Sequence, residues 1–338
     1  MRAVLIHGKE DLRIQEVPTP SPGSGEVLIR VAYAGICGSD LHYYYEGRNG
    51  DFLVREPLIP GHEISGIVAA DPSGTFAPGT PVTPHPATFG KPVPGLENSP
   101  HLWPGGAYLG SASTWPHTQG GMSEYLLLRH DQVRVLPETL SLERAVLAEP
   151  TAVAMHAVSR SSGVAGKKVL VNGAGPIGLL TAGVLKYAGA AEIWAADIAA
   201  GPLKRATALG ITGTIDLSTE NIPDESFDVV FECAGVFSAI SAAIRAVRRR
   251  GEIIQVGMVP GGDGALNIAP LIAKEAALIG VFRFRDEVDA AVELLNAHPE
   301  LETVLTHVTA ADDAAAAFAT ARDSRVSGKV ALNMWFAD

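Results

Sequence analysis

Two short runs hold side chains whose types could do chemistry together: Cys37-Gly38-Ser39-Asp40-Leu41-His42 and Pro60-Gly61-His62-Glu63. A thiolate, an imidazole and a carboxylate are donors that Zn²⁺ accepts, and three protein ligands with one position open is the catalytic arrangement. Glu149, in Ala148-Glu149-Pro150, is a further candidate, so the ligand set is read as Cys37, His62, Glu63 and Glu149 with the order of the two carboxylates open. A lone cysteine and a lone histidine would read more simply as a small buried residue and a loop imidazole. Their company changes that. Ser39 and His42 follow Cys37 closely enough to pass a proton from the ligand site to water.

A second constellation lies downstream. Lys167-Lys168-Val169-Leu170-Val171-Asn172 reads as a strand, followed by Gly173-Ala174-Gly175-Pro176-Ile177-Gly178, an apolar helix to Tyr187, and a second strand ending at Asp197. Strand, glycines, helix and acid in that order form a dinucleotide fingerprint: the glycines admit the pyrophosphate, and the helix N-terminus meets its charge. Asp197 would accept hydrogen bonds from a ribose diol and repel a 2′-phosphate, which favours NAD. Lys204 and Arg205 nearby keep NADP possible.

These residues need rigid elements around them. Up to about residue 36, short apolar runs alternate with a Pro/Gly cluster, an all-β start. Ser39 to Tyr45 reads as one helical turn with Ser39 as a possible N-cap, and Ile64 to Ala69 as a strand behind His62 and Glu63. Ser141 should cap a helix that contains Glu149 and, further on, a structural His156. Residues 84–108 are proline- and glycine-rich without periodicity, and His85, Glu97 and His101 there are read as surface groups. From Lys167 strands and helices alternate, so the fold class is α/β: a β-rich domain (1–151 and 285–338) plus a Rossmann doubly wound parallel sheet (152–284).

At 338 residues the chain is long enough for two cores. A net charge of −11 argues against nucleic acid or an anionic membrane as partner. Cys37 and Cys233, the only cysteines, are too few for a disulfide framework, and no apolar run has the length of a signal peptide or a span. A cytoplasmic protein is expected.

Cys37 to Tyr43, Gly61-His62-Glu63, Glu149-Pro150 and Gly173 to Gly178 resemble the zinc-dependent medium-chain alcohol and polyol dehydrogenases, and the similarity runs nearly end to end. The resemblance implies a GroES-like catalytic domain, one catalytic zinc, and reversible oxidation of a secondary alcohol to a ketone with NAD(P). It implies that Cys37, His62 and Glu63 bind the metal, that Glu149 binds it or lies near substrate, and that Ser39 and His42 form a proton relay. It places Tyr43 and Arg283 against substrate, Val256, Gly257 and Met258 beside the nicotinamide, and Val281, Phe282 and Arg283 on the cofactor. It also implies a homo-oligomer, dimer or tetramer. Leu41 to Gly47 and Leu109 to Ala112, with Pro116-His117 and Gly120-Gly121, favour a sugar acid, L-idonate oxidised at C5 to 5-ketogluconate, over sorbitol or xylitol. A carboxylate needs a cation, and Arg283, Arg48, Arg55 and Lys91 are candidates. The chain also departs from its relatives. No cysteine lies between 38 and 232, so a four-cysteine structural zinc lobe is not expected; Pro202 replaces an arginine and Phe284 a tyrosine. A zinc-free reductase, or a non-catalytic nucleotide-binding protein on this fold, is the competing reading.

Overall fold

The structure, a computed structural model, describes residues 1–259, 261 and 264–336. It divides into two compact units: Met1–Glu149 with Val288–Asp323 and Lys329–Asp338, and Pro150–Glu287 with Ser324–Gly328. The short Ser324–Gly328 segment is held in the second unit by the Arg205 guanidinium, which donates to the carbonyls of Ser324, Val326 and Ser327. Among the described residues no helix is long and apolar enough to cross a membrane.

In the first unit, strand Glu26–Gly35 is buried on both faces over most of its length, Leu28, Ala32 and Ala34 as well as Val27, Ile29 and Val31, with Arg30 exposed, the pattern of a strand inside the core. This strand lies within a seven-stranded sheet, between Glu63–Ala70 on one edge and Tyr125–Arg129 and Lys329–Asn333 on the other. The register sets Gly35 opposite Glu63 on one side and Ala331 on the other. One strand end therefore gathers the chain just before Cys37, the residue after His62, and the strand that starts at Lys329. Ile6, Ile29, Leu58, Ile64, Met122 and Phe318 fill the core behind it, each worth roughly 1.5–3 kcal/mol when fully buried.

The second unit is a six-stranded parallel sheet in the order Gly213–Asp216, Glu192–Asp197, Lys168–Asn172, Phe227–Glu232, Val247–Gln255, Ala277–Gly280. Numbered within the unit this is 3-2-1-4-5-6, whose direction reverses beside Lys168–Asn172. Ligands bind beyond the strand ends at such a point.

Three local expectations change. The helix runs Gly38–Glu46 with Cys37, not Ser39, as its N-cap, because the Asp40 carboxylate reaches back to the Cys37 N–H at 2.9 Å. Ser141 does cap a helix, its hydroxyl accepting from Arg144 N–H, but that helix is only Leu142–Ala145, and Glu149 lies in a separate one, Ala148–Ser159. Pro150 has no N–H to continue the first helix, yet is tolerated in the first turn of a new one. His85, read as a surface group, is buried: the Gln132 side chain donates to its carbonyl, and strands Ala87–Thr88 and Ala107–Tyr108 pair nearby to close the proline-rich segment. Within that segment the Trp103 indole donates to Leu96 O at 2.8 Å.

Candidate active site and metal centre

Asp40 organises the first constellation. Fully buried, it accepts from Cys37 N–H through one oxygen and from Gly61 N–H, at 3.3 Å, through the other, pinning together the two turns that present Cys37 and His62. Burial raises its pKa, although the neighbouring His62 pulls the other way. The result is one potential donor from each type: the ligand atoms of Cys37, His62 and Glu63 lie within 4.8 Å of one another.

Glu63 is placed by a missing side chain and a distant cation. A Cβ on Gly35 would come within 2.2 Å of Glu63 Oε2, so only glycine lets the carboxylate lie there. Lys329 Nζ donates to Glu63 Oε1 at 2.5 Å and to Ile36 O at 3.2 Å. Burial works against the charge of Lys329, but Glu63 and then Cys37 more than restore it, and its pKa is raised. Glu63 Oε2 is buried with no hydrogen-bond partner. Burial also opposes a charge on His62, yet the Cys37 sulfur, then the Asp40 and Glu149 carboxylates, push its pKa up to about 10. Protons and metal compete for such donors. A soft, a borderline and a hard donor converge here around an orphaned carboxylate oxygen amid excess negative charge, and that set fits Zn²⁺.

Glu149 stands beside this cluster and outside the converging trio. Tyr108 Oη donates to its Oε1 at 2.6 Å, and the Tyr108 ring packs edge-on against His62 with centroids 5.4 Å apart. Burial raises the Glu149 pKa, against the pull of His62. Ser39 is half-buried near the helix start, and His42 is half-exposed with Nδ1 3.1 Å from Glu46 Oε1. Among the described residues no hydrogen bond joins Ser39 to His42. Tyr43, expected against substrate, is only 2% exposed, and its hydroxyl accepts from Ala112 N–H at 3.1 Å. It ties helix Gly38–Glu46 to the Ser111–Ala112 loop.

In the second unit the fingerprint is a matter of space. Gly173 has φ +100°, and a Cβ there would meet Ala234 N at 2.7 Å; one on Gly178 would meet Gly173 O at 1.9 Å. Gly175 caps helix Pro176–Tyr187, with Pro176 and Ile177 in its first turn. Asp197 accepts from Ala174 N–H and Ala199 N–H, holding its carboxylate at the glycine turn. Gly257 N–H donates to Glu232 O, Val281 N–H to Gln255 O, Val256 is half-buried, and Met258 and Phe282 are exposed. The Arg283 guanidinium stacks 4.8 Å from the Phe282 ring centroid.

Family models match both units: an alcohol dehydrogenase GroES-like domain over residues 23–138 and a zinc-binding dehydrogenase over 176–297. The sorbitol dehydrogenase of Bacillus subtilis is 33% identical over 87% of this chain and 86% of its own. The chain belongs to the zinc-dependent medium-chain polyol dehydrogenases. The L-idonate 5-dehydrogenase (NAD(P)(+)) of Escherichia coli is 32% identical over 87% of each chain. The crystal structure of the Escherichia coli L-idonate 5-dehydrogenase superposes with a TM-score of 0.92 at 30% identity, covering 98% of this chain and 97% of that one. Zinc and NAD(P) are the cofactors this family implies.

Three residues of this dehydrogenase escape sequence reasoning. Asp40 sits inside the quoted motif, but nothing in its spacing marks it as the clasp between two turns. Lys329 lies 266 positions from Glu63 and meets it only through strand pairing. Glu232 is a fully buried carboxylate accepting from Ala234 N–H, Gly235 N–H and the Gln255 amide; in sequence it is an ordinary strand-end charge. Burial raises its pKa.

Proposed function

We propose that this dehydrogenase oxidises L-idonate at C5 to 5-ketogluconate, reversibly and with NAD, through one zinc held by Cys37, His62 and Glu63. The observation that carries the chemistry is the convergence of those three donors with Glu63 Oε2 unpartnered. The substrate reading is supported by the TM-score of 0.92 to an L-idonate 5-dehydrogenase. The 33% identity to a sorbitol dehydrogenase favours a neutral polyol as the second reading.

Bound there, zinc would supply the Lewis acidity that makes an alcohol hydroxyl acidic near neutral pH, and the nicotinamide would be the hydride acceptor. The chain's own residues do the rest. Asp40 keeps the Cys37 and His62 turns together, and Lys329 keeps one Glu63 oxygen occupied, so that the unpartnered one would be available to hold the metal. Glu149, fixed by Tyr108, orients the substrate hydroxyl. Ser39 and His42, three apart on one helix, lie on the same face, and half-exposed His42 delivers the proton to water. Asp197 takes the adenosine ribose diol. Arg205, a possible partner for a 2′-phosphate, is committed to three backbone carbonyls, which supports NAD over NADP.

Metal analysis combined with initial rates on L-idonate, sorbitol, xylitol and L-threonate, each with NAD and NADP, tests the reading. The expected result is stoichiometric zinc and highest kcat/KM for L-idonate with NAD. Zinc-free protein inert on the whole panel would leave only a non-catalytic nucleotide binder; preference for sorbitol or xylitol would select the second reading.

A further inference from the structure

A cavity of about 130 Å³ opens in the first unit, its lining including Arg55, Phe52, Ser113, Thr114 and Trp115. One wall is a hairpin in which Ser111 and Thr118 exchange backbone hydrogen bonds of 3.0 and 3.1 Å. At the hairpin's base Gly110 and Gly120 press on Gly61, so closely that a Cβ on either would come within 2.6 and 2.3 Å of its backbone. The base therefore rests on the turn that presents His62, while the tip forms the cavity. His117 fixes the two walls together: its Nε2 accepts from Arg55 N–H at 2.9 Å, and its Nδ1–H donates to Thr114 O at 3.0 Å.

The charges in this cavity are unequal. Asp51, the acid in the lining, is paired with Arg48 at 3.5 Å, and Arg48 also donates to Gly50 O at 2.6 Å. Arg55 is exposed, and among the described residues its guanidinium has no hydrogen bond or ion pair. A guanidinium without a protein partner, in a lining that also holds the exposed rings of Phe52 (45%) and Trp115 (62%), offers a grip for an anion. The volume fits an end group and not a whole sugar acid, since sites enclosing entire ligands run to about 300–1,000 Å³.

We propose that this cavity is the subsite for the anionic end of the substrate, a carboxylate gripped by Arg55 while the carbon chain runs past Trp115 towards His62. Carboxylate and phosphate share the chemistry, but one guanidinium balances one charge and matches the two oxygens of a carboxylate. A phosphate monoester, at about −1.5 to −2, would be left half-compensated. The assignment rests on the sugar-acid reading above and deepens it.

The test uses the zinc-loaded full chain with NAD. Wild type, Arg55→Gln and Arg55→Lys are compared on L-idonate, on the neutral hexitol L-iditol, and on galactitol 1-phosphate. Calorimetric titration of L-idonate runs in parallel and needs no turnover. Arg55→Gln should lower the L-idonate to L-iditol ratio of kcat/KM at least about tenfold, mostly through KM, and weaken L-idonate binding to match, as loss of a charged hydrogen-bond pair does. Arg55→Lys should recover part of both. An unchanged ratio with unchanged binding overturns the proposal, and so does a larger loss on galactitol 1-phosphate than on L-idonate. Wild type that turns over hexitols and not L-idonate defeats the sugar-acid reading; the titration then still decides whether Arg55 holds a carboxylate.

Discussion

The candidate metal cluster of the first unit is made of side-chain charges, whereas the candidate cofactor turn of the second is made of backbone and vacant space. Around Cys37, His62 and Glu63 buried charged groups hold the ligands in place: Asp40 on the two ligand turns and Lys329 on one Glu63 oxygen. Around Gly173 and Gly178 what matters is that no Cβ intrudes. A site of the first kind should fail when a charge is removed, and one of the second kind when volume is added. The two failures should be separable in one protein. Cys37→Ser is expected to abolish zinc retention and lower kcat/KM by at least about 10³-fold while NADH fluorescence titration stays near wild type. Gly178→Ala, whose Cβ would press on Gly173 O, should weaken NADH by about 100-fold, the order expected of an overpacking clash that costs about 1–3 kcal/mol, with zinc content retained. If either variant loses both ligands, the contrast between the sites breaks.

Lys329 gives a smaller and more diagnostic effect. Removing one partner of a buried ion pair strands the other, at a cost of about 3–5 kcal/mol, so Lys329→Met should destabilise the metal-free protein by that order in urea. Zinc can take over as the cation facing Glu63, and the loss should shrink on loading. An equal loss in both forms would mean that Lys329 supports the strand and not the carboxylate, and the comparison would lose its electrostatic half.

The unequal legibility of the two units follows from the same contrast. A turn built from volume exclusion writes itself as a local pattern, so Gly173, Gly175, Gly178 and Asp197 were readable together with the parallel sheet around them. A cluster of buried charges writes only half of itself locally. Cys37, His62 and Glu63 stand out by type, but Lys329 reaches Glu63 through the pairing of Gly35 with both Glu63 and Ala331, and no spacing in the chain encodes that meeting. Tyr43 shows a related limit. A tyrosine beside a ligand motif suggests substrate contact, yet its hydroxyl is satisfied by a loop more than 60 positions away. His85 likewise looked like a surface group among prolines, and burial by the closing strands could not be read from composition.

The second unit also holds a side-chain pair, and its pH response sharpens the comparison with the smallest expected effect. His156 Nδ1 lies 2.7 Å from Glu287 Oε1, and the other Glu287 oxygen accepts from Arg285 N–H and Asp286 N–H. Burial pushes the Glu287 carboxyl up, but the His156 bond and the two amides outweigh it and hold its pKa at about 2, below the ordinary 4.5. A carboxylate depressed in the folded state binds fewer protons than in the unfolded chain, so its contribution is present above pH 4.5 and is lost as pH falls towards 2. Glu232 has the opposite sign: with its pKa raised by burial, it favours the fold at low pH and loses that contribution as pH rises above 4.5. Glu287→Gln should therefore flatten the loss of stability between pH 4.5 and 2.5, and Glu232→Gln should alter the slope only above 4.5, both measured by urea unfolding across pH. If Glu287→Gln leaves the acid limb as steep as wild type, the acid sensitivity belongs to other carboxylates held below their ordinary range, among them Asp71 and Asp131 in the first unit and Glu192 and Asp216 in the second, and the His156 pair drops out of the comparison.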